Sequence, residues 1–429
     1  MTHAFVCIGD IHLKHGHQWN ADRLAALDQI LREGAAREDL AAWLVLGDVF
    51  DTRSSIEDRN AIAPRLQQMG ERAPVVIVAG NHDMPGDLDV LGKLKARYPI
   101  LVVTRAQTLS IDTPTGARAA IFAVPYPHKH ALVGAGVAHA QLGDVAGHLL
   151  DAMFLEGADQ LTRAARAGEL TLMIGHATIA GSVSSVGQPM GLDHSIAITQ
   201  GHLERLGDVP EIFGHIHAPQ EICGAYYAGS ITAHDFGEVD RKRYLVVEYA
   251  ADGYRVLSMP LDTPPLYHVE GTFARETGFT WTVTRGPDGE ALGPPPTWRG
   301  VRVRVRYRFL EAEASALDTA HILAAFAEAR SLALEPIAIR ERAHRAPEVV
   351  AAQTLPEKVA AFVRSSGVPW TPALAGKLAA LQEPDTTGFL ARAQHAWSGA
   401  PTDTPSVAGS SSPEAQAAPD SDLFEEVHA

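Results

Sequence analysis

From its N-terminus the chain alternates short apolar runs with longer stretches in which apolar residues recur every three or four positions. The runs AFVCI (4–8), AAWLVL (41–46), APVVIVA (73–79), ILVVT (100–104), AAIFAVP (119–125), LTLMI (170–174) and EIF (211–213) have the length and β-branched content of buried strands. Between the first two, Leu24, Leu27, Ile30 and Leu31 share one helical face and predict a helix over 22–37. Strand and helix in alternation predict a layered α/β domain over residues 1–258. YYAGSITA, KRYLVVEYA and DGYRVLSMP add strands, the last two joined by a turn at Asp252-Gly253.

A different pattern begins near Pro264-Pro265, where strands are predicted across 267–283, then a Gly/Pro-rich loop, RGPDGEALGPPP, then a strand of regular alternation. In that strand Arg302, Arg304, Arg306 and Arg308 share one face while Val301, Val303, Val305, Tyr307 and Phe309 share the other, because strand side chains alternate with period two. A helix at about 317–330 and a strand at about 336–340 complete a small αβ module spanning 262–346. Two short amphipathic helices within 354–382 fall in a helical segment, 350–397. Residues 398–429 are rich in Ala, Pro, Ser and Thr, with no Lys or Arg beyond Arg392, which predicts a disordered acidic tail.

Composition narrows the classes. The 429 residues are 46% hydrophobic and 20% charged, a globular composition of two or three domains. No apolar run approaches the roughly 20 residues that cross a bilayer, and the first residues carry no basic leader, so the chain is expected to be cytoplasmic with no membrane role. Cys7 and Cys223 are the only cysteines, which excludes a disulfide framework and a cysteine-based zinc cluster. With 51 acidic against 36 basic residues the net charge is −15, so affinity for a nucleic acid needs a local patch or a partner.

The chemistry concentrates in five motifs, each closing an apolar run: Gly9-Asp10-Ile11-His12, Gly47-Asp48-Val49-Phe50-Asp51, Gly80-Asn81-His82-Asp83, Gly175-His176 and Gly214-His215-Ile216-His217. In layered α/β folds the loops at that strand edge converge on one crevice. The motifs offer two Asp, one Asn and four His without a thiolate, a donor set for manganese, and also for iron or zinc. The count suits two ions, with Asp48 bridging, Asp10, His12 and His217 on one, and Asn81, His176 and His215 on the other. Such a pair, roughly 3.5–4 Å apart, serves in-line phosphoryl displacement. His82 is left over and becomes the candidate general acid, with Asp83 or Asp51 orienting it. Any one of these residues alone is as well explained by turn capping or core hydrogen bonding.

The set GDxH, GDxxD, GNHD, GH and GHxH resembles the calcineurin-like metallophosphoesterase superfamily. Within it, GDVFDTRSS (47–55), FGHIHAPQ (213–220) and YYAGSITAHDFGE (226–238) resemble the SbcD-like nuclease subunits of DNA double-strand-break repair. The resemblance implies a four-layer αββα sandwich with a small αβ capping domain and a C-terminal helical segment. It implies manganese bound by Asp10, His12, Asp48, Asn81, His176, His215 and His217, with Mg2+, Fe2+ or Zn2+ as alternatives, and His82 as the catalytic histidine. It further implies exonuclease action on double-stranded ends and endonuclease action on single strands or hairpins, in a homodimer with an SbcC-like coiled-coil ATPase. Lys14 stands where the family usually has Gly, and Asp51 where the archaeal and eukaryotic branch has a second catalytic histidine.

The remaining features have two readings each. The four arginines are spaced to grip DNA phosphates, about 6.6–7 Å apart, or form an outer face paired with neighbouring acids. Phe362 and Leu378 anchor the ATPase or pack on their own chain. Leu423 and Phe424 resemble the end of a sliding-clamp-binding peptide, against a solubilising tail. The competing functions are a stand-alone phosphoesterase for a small phosphodiester or nucleotide, and a tethering subunit with a vestigial site.

Overall fold

In the computed structural model the predicted alternation runs β1 (His3–Ile8), α1 (Asn20–Ala35), β2 (Leu40–Val45), α2 (Ile56–Arg72), β3 (Val75–Val78), β4 (Ile100–Val103), β5 (Gln107–Asp112), β6 (Arg118–Val124), α3 (Leu142–Arg166), β7 (Leu170–His176), β8 (Thr178–Ile179), β9 (Ala197–Ile198), α4 (Gln200–Glu204), β10 (Glu211–Gly214), β11 (Gln220–Ile222), β12 (Ala225–Tyr227), β13 (Arg243–Ala250) and β14 (Gly253–Pro260). The structure describes residues 2–84, 86–128, 142–190, 196–287, 289, 293–340 and 347–382. The chain divides into two units, Met1–Glu341 and Arg342–Ala429.

Two six-stranded sheets, ordered β14-β13-β1-β2-β3-β4 and β11-β12-β10-β7-β6-β5, form the body of the first unit. Period-two alternation decides which side chains meet. Phe5, Cys7, Ala42, Leu44 and Val76 of one sheet pack against Ile121, Ala123, Leu172, Ile174 and Ile212 of the other, filling the space between them. The alternate residues Val6, Ile8, Trp43 and Val45 turn to the opposite face and meet Leu27, Ile30, Ile62 and Leu66 of α1 and α2. Phe122, Met173 and Phe213 turn outward to meet Phe154 and Leu161 of α3. The result is the layered αββα arrangement. Helix α2 starts where Ser55 and Asp58 exchange a capping box.

β1, β2 and β3 run parallel to one another, as do β6, β7 and β10. Their C-terminal ends therefore lie along one edge of each sheet, and all five motifs lie there. The run YYAGSITA pairs only over Ala225–Tyr227; beyond it the chain leaves the sheet, and the Ile231 N–H donates to the carbonyl of Asp10.

The module beyond Pro265 is a four-stranded sheet ordered β16-β15-β17-β18, with β15 (Leu266–Ala274), β16 (Gly278–Arg285), β17 (Arg302–Leu310) and β18 (Ser331–Ile339). The helix expected over 317–330 is shorter, α5 (Thr319–Ala325), because Phe326 ends it by burying its ring against Trp281 and Trp298, 5.2 and 5.1 Å away. β18 starts earlier than expected because it pairs with β17 along its whole length.

In the second unit the predicted pair is found as α7 (Leu355–Ser366), which opens on a Thr354–Glu357 capping box, and α8 (Pro372–Gln382), preceded by α6 (Pro347–Ala351). Phe362 is 54% exposed and Leu378 is buried. The tail 398–429, with Leu423 and Phe424, lies outside the described residues.

Candidate active site

The loops after β1 and β2 run side by side: the N–H groups of Ile11 and His12 both donate to the Asp48 carbonyl, and that of Asp51 donates to the Leu13 carbonyl. The backbone bends sharply here. Four non-glycine residues among those described have positive φ, and three of them are His12 (51°), Asp48 (49°) and His215 (91°). Such conformations are costly and gather at functional sites. Two glycines make the approach possible. A Cβ on Gly80 would stand 2.1 Å from Asp48 Oδ1, and one on Gly47 2.2 Å from His176 Nδ1.

All seven candidate donors are brought together. His12 Nε2 and His217 Nε2 lie 2.9 Å apart, and with Asp10 these residues place donor atoms within 4.8 Å of one another. Asn81 Oδ1 is 2.9 Å from His176 Nε2 and 2.8 Å from His215 Nδ1. Asp48 Oδ2 stands between the two groups, 3.6 Å from His12 Nε2 and 3.3 Å from His176 Nε2. Its other oxygen, Oδ1, accepts from the His82 N–H at 2.8 Å. Asp10 Oδ1 accepts from the His215 N–H at 2.8 Å, while Asp10 Oδ2 is buried with no hydrogen-bond partner.

Two of the imidazoles, those of His176 and His217, are aimed by their second nitrogen. His176 Nδ1 donates to the Leu46 carbonyl at 2.6 Å, and His217 Nδ1 donates to Glu238 Oε1 at 2.5 Å. Glu238 is held by Lys242 Nζ at 2.6 Å and by the Ser230 hydroxyl at 2.9 Å. Such outer contacts fix the tautomer a ligand needs.

Electrostatics marks the centre as a place for positive charge. Burial opposes protonation of His176, yet Asp48 and Asp10 outweigh it and carry the ring up to about 9. Burial opposes ionisation of Asp48, but His176 and His12 hold it well below the usual carboxylate range. Burial and the nearby His176 charge bring His215 down to about 3. The donors fit a divalent cation pair on two counts: an orphaned buried carboxylate oxygen at Asp10, and two ring nitrogens facing each other at His12 and His217.

His82 is partly exposed at the mouth, its Nδ1 donating to the Asp51 backbone carbonyl at 2.7 Å. Its orientation thus comes from a main-chain oxygen rather than from the carboxylates of Asp51 or Asp83. The Asp51 carboxylate instead takes the Lys14 ammonium at 2.9 Å and lies 3.5 Å from both His12 Nδ1 and His234 Nε2. Asp83 accepts from the Gly80 and Phe50 N–H groups, at 2.9 and 3.2 Å, tying two motif loops together. Burial and then the Asp48 charge push it up to about 6.

The arginine row lies elsewhere in the unit. Arg302 is buried, bonded to Asp22 of α1 and stacked 4.0 Å from the Trp19 ring. Arg304 and Arg306 both reach Glu335, at 2.7 and 3.2 Å, and Arg306 and Arg308 each come within 3.9 Å of Glu270.

Sequence pattern alone gave no role to Glu238, Lys242, His234 or Tyr126. Glu238 and His234 sit inside the run YYAGSITAHDFGE, where a carboxylate and an imidazole at a fixed spacing were the available signal. Lys242 and Tyr126 offered none, since only the fold brings them to the site.

The family described as calcineurin-like phosphoesterase matches residues 3–219, half of the chain. The chain is similar to the SbcD subunit of the nuclease SbcCD of Bacillus subtilis (strain 168), 24% identical over 262 residues, covering 54% of this chain and 61% of that protein's length. One solved crystal structure aligns over 60% of this chain and all of its own, at a TM-score of 0.35 and 11% identity, too distant to carry an argument.

Proposed function

Given that the chain belongs to the calcineurin-like phosphoesterase family and is a metal-dependent hydrolase of phosphoester bonds, we propose that it is a DNA nuclease of the SbcD type that acts with an SbcC-like ATPase. The observation that carries the hydrolytic part is Asp48 Oδ2 standing between the His12 and His176 groups. In this reading Asp10, His12 and His217 would hold one divalent cation, Asn81, His176 and His215 would hold the other, and Asp48 would serve both. When bound, such a pair supplies Lewis acidity toward phosphoryl oxygens and acidifies water.

The chain's own residues do the rest. The Leu46 carbonyl and Glu238 keep His176 and His217 facing the centre. Lys14 and Asp51 neutralise each other behind His12. His82, with Nδ1–H committed to the Asp51 carbonyl, leaves Nε2 for the substrate, and as the imidazolium it would pass its Nε2 proton to the departing oxygen and end as the neutral Nδ1–H ring.

The nuclease part is supported by the likeness to the SbcD subunit of SbcCD. A second reading, hydrolysis of a small phosphodiester, is favoured by the carboxylate pairing of Arg304, Arg306 and Arg308, which leaves the row without free cations for a DNA strand. Manganese-dependent digestion of end-labelled linear duplex DNA, run beside bis(p-nitrophenyl) phosphate, separates the two. Cutting of both substrates supports the nuclease. Ester hydrolysis alone, persisting after the SbcC-like ATPase is added, supports the small-substrate enzyme. In the same assay His82→Ala is expected to lower kcat by roughly 10²–10⁴ with metal content unchanged, and loss of metal would remove the acid role.

A further inference from the structure

One wall of the site carries a feature that hydrolysis does not require. As the chain leaves β6, the Tyr126 N–H donates to the Ala79 carbonyl at 3.0 Å, fixing this loop beside the one that bears His82. The Tyr126 ring lies 5.1 Å from that of His215, 6.2 Å from that of His176 and 5.0 Å from that of His128. Tyr126 and His128 border a cavity of about 230 Å³ lined by Leu149, Leu150 and Met153 of α3 and by Arg105. The same two rings border a second cavity of about 190 Å³ that reaches Asp83 and Met84, next to His82. An apolar recess thus lies on the far side of Tyr126 from the polar centre, the Tyr126 ring bordering both, and Leu149 at its edge is 53% exposed.

The size and lining select the occupant. At about 230 Å³ the recess falls below the roughly 300–1,000 Å³ of drug-sized sites, which suits a single planar ring. Aromatic side chains beside a phosphate-handling centre are the usual platform for bases, because every base presents a π face. A phosphodiester held at Asp48 carries its base one sugar away. Arg105 adds a cation where a neighbouring phosphate would pass.

We infer that this recess receives the base of a nucleotide flanking the scissile phosphate, with the Tyr126 ring as the stacking face, His128 set at 72° to it as a side wall, and Leu149, Leu150 and Met153 as the floor. The inference rests on the nuclease reading and adds to it that the flanking base is either unpaired or extruded from its stack when the phosphate is at the centre.

The test compares two esters with the same leaving group, thymidine 5′-(p-nitrophenyl phosphate) and methyl p-nitrophenyl phosphate, on the full chain with Mn2+. The expected kcat/KM ratio favours the nucleoside ester roughly 5- to 100-fold. Tyr126→Ala brings that ratio near one, Tyr126→Phe keeps it, and Leu149→Asp lowers it. A ratio near one in the wild type, or an undiminished ratio in Tyr126→Ala, overturns the pocket while leaving the phosphoesterase standing. If neither ester is hydrolysed and linear DNA stays intact with the SbcC-like ATPase added, the nuclease reading fails. The pocket is then judged by saturation-transfer NMR of thymidine 5′-monophosphate, whose base protons should respond in the wild type and not in Tyr126→Ala; their silence in the wild type overturns it.

Discussion

At the strand ends of the two large sheets, Asp10 keeps one carboxylate oxygen buried and unbonded, and the ring nitrogens of His12 and His217 face each other at 2.9 Å. On β17, by contrast, every arginine of the alternating row ends within 4 Å of a carboxylate. Both regions gather charged side chains that stood out in the sequence by spacing. What differs is whether the charge is balanced from within. An orphaned buried carboxylate oxygen beside two ring nitrogens that face each other costs free energy that a bound cation would recover, which fits the first region to a metal. In the second each arginine already has a carboxylate of opposite charge within the chain, even though Arg302 Nη1 and Glu270 Oε2 lack hydrogen bonds, and these pairs hold the module together.

Asp48 sets the two regions furthest apart. Asp48→Ala should lower kcat/KM for a phosphodiester by roughly 10³-fold or more, several kcal/mol of lost stabilisation, and should lower the metal content read by elemental analysis. An active, metal-replete variant would show that the converging donors do not need their shared oxygen. In the balanced region the largest effect is on stability. Arg302→Ala leaves Asp22 of α1 short of a partner in a buried pair and should cost about 3–5 kcal/mol in calorimetric unfolding, with little change in metal content. Asp22 is also bonded by Arg330, so a much smaller loss would mean that Arg330 alone neutralises it.

Glu238→Gln probes the support behind His217. Outer contacts of this kind are worth about 10- to 100-fold in metal affinity or activity, and metal titration should show that loss with the fold intact. Glu211 of β10 offers a smaller, pH-dependent effect. Burial pushes it up to about 7, above its ordinary value of 4.5. A raised folded-state value means that its contribution is complete below the unfolded value and is lost as pH rises through about 7. Glu211→Gln should therefore flatten the decline in stability between roughly pH 5 and 8, gaining on the order of 2 kcal/mol at the upper end. Chemical denaturation at the two pH values measures it, and parallel slopes for wild type and variant would contradict it.

Arg306→Ala should change least. As a part-exposed pair with Glu335 and Glu270 it is worth at most about 1 kcal/mol of stability, and DNA affinity should keep its salt dependence. A salt slope reduced by about one charge would mean that the carboxylates yield Arg306 to a phosphate when DNA arrives, and the distinction between the two regions would narrow.

The motifs were legible because glycine-led turns at the ends of apolar runs, each followed by Asp, Asn or His, are hard to account for as capping alone. Parallel pairing of β1 with β2 and of β7 with β10 puts those ends on one edge. The strands read equally well, since period-two burial between two sheets requires β-branched and apolar residues on both faces. The end of α5 was less legible, because it depends on where Phe326 finds its aromatic partners. The fate of the arginine row was not legible at all. Alternation put four guanidinium groups on one face, but Glu335 and Glu270 lie on neighbouring strands, 29 and 36 positions from Arg306, and only sheet order sets them opposite it.

The sequence by itself determined the layered architecture, the donor types and the lack of thiolates in the five motifs, because these follow from local periodicity and from which atoms are present. Tertiary structure alone decided how those atoms are used. It turned His12, Asp48 and His215 into the site through positive backbone φ. It oriented His82 from a main-chain carbonyl and placed Glu238 and Lys242 behind His217. It also set Tyr126 between the centre and an apolar recess. Each of these depends on contacts between residues far apart in the chain, whose energies exist only once the two sheets have packed.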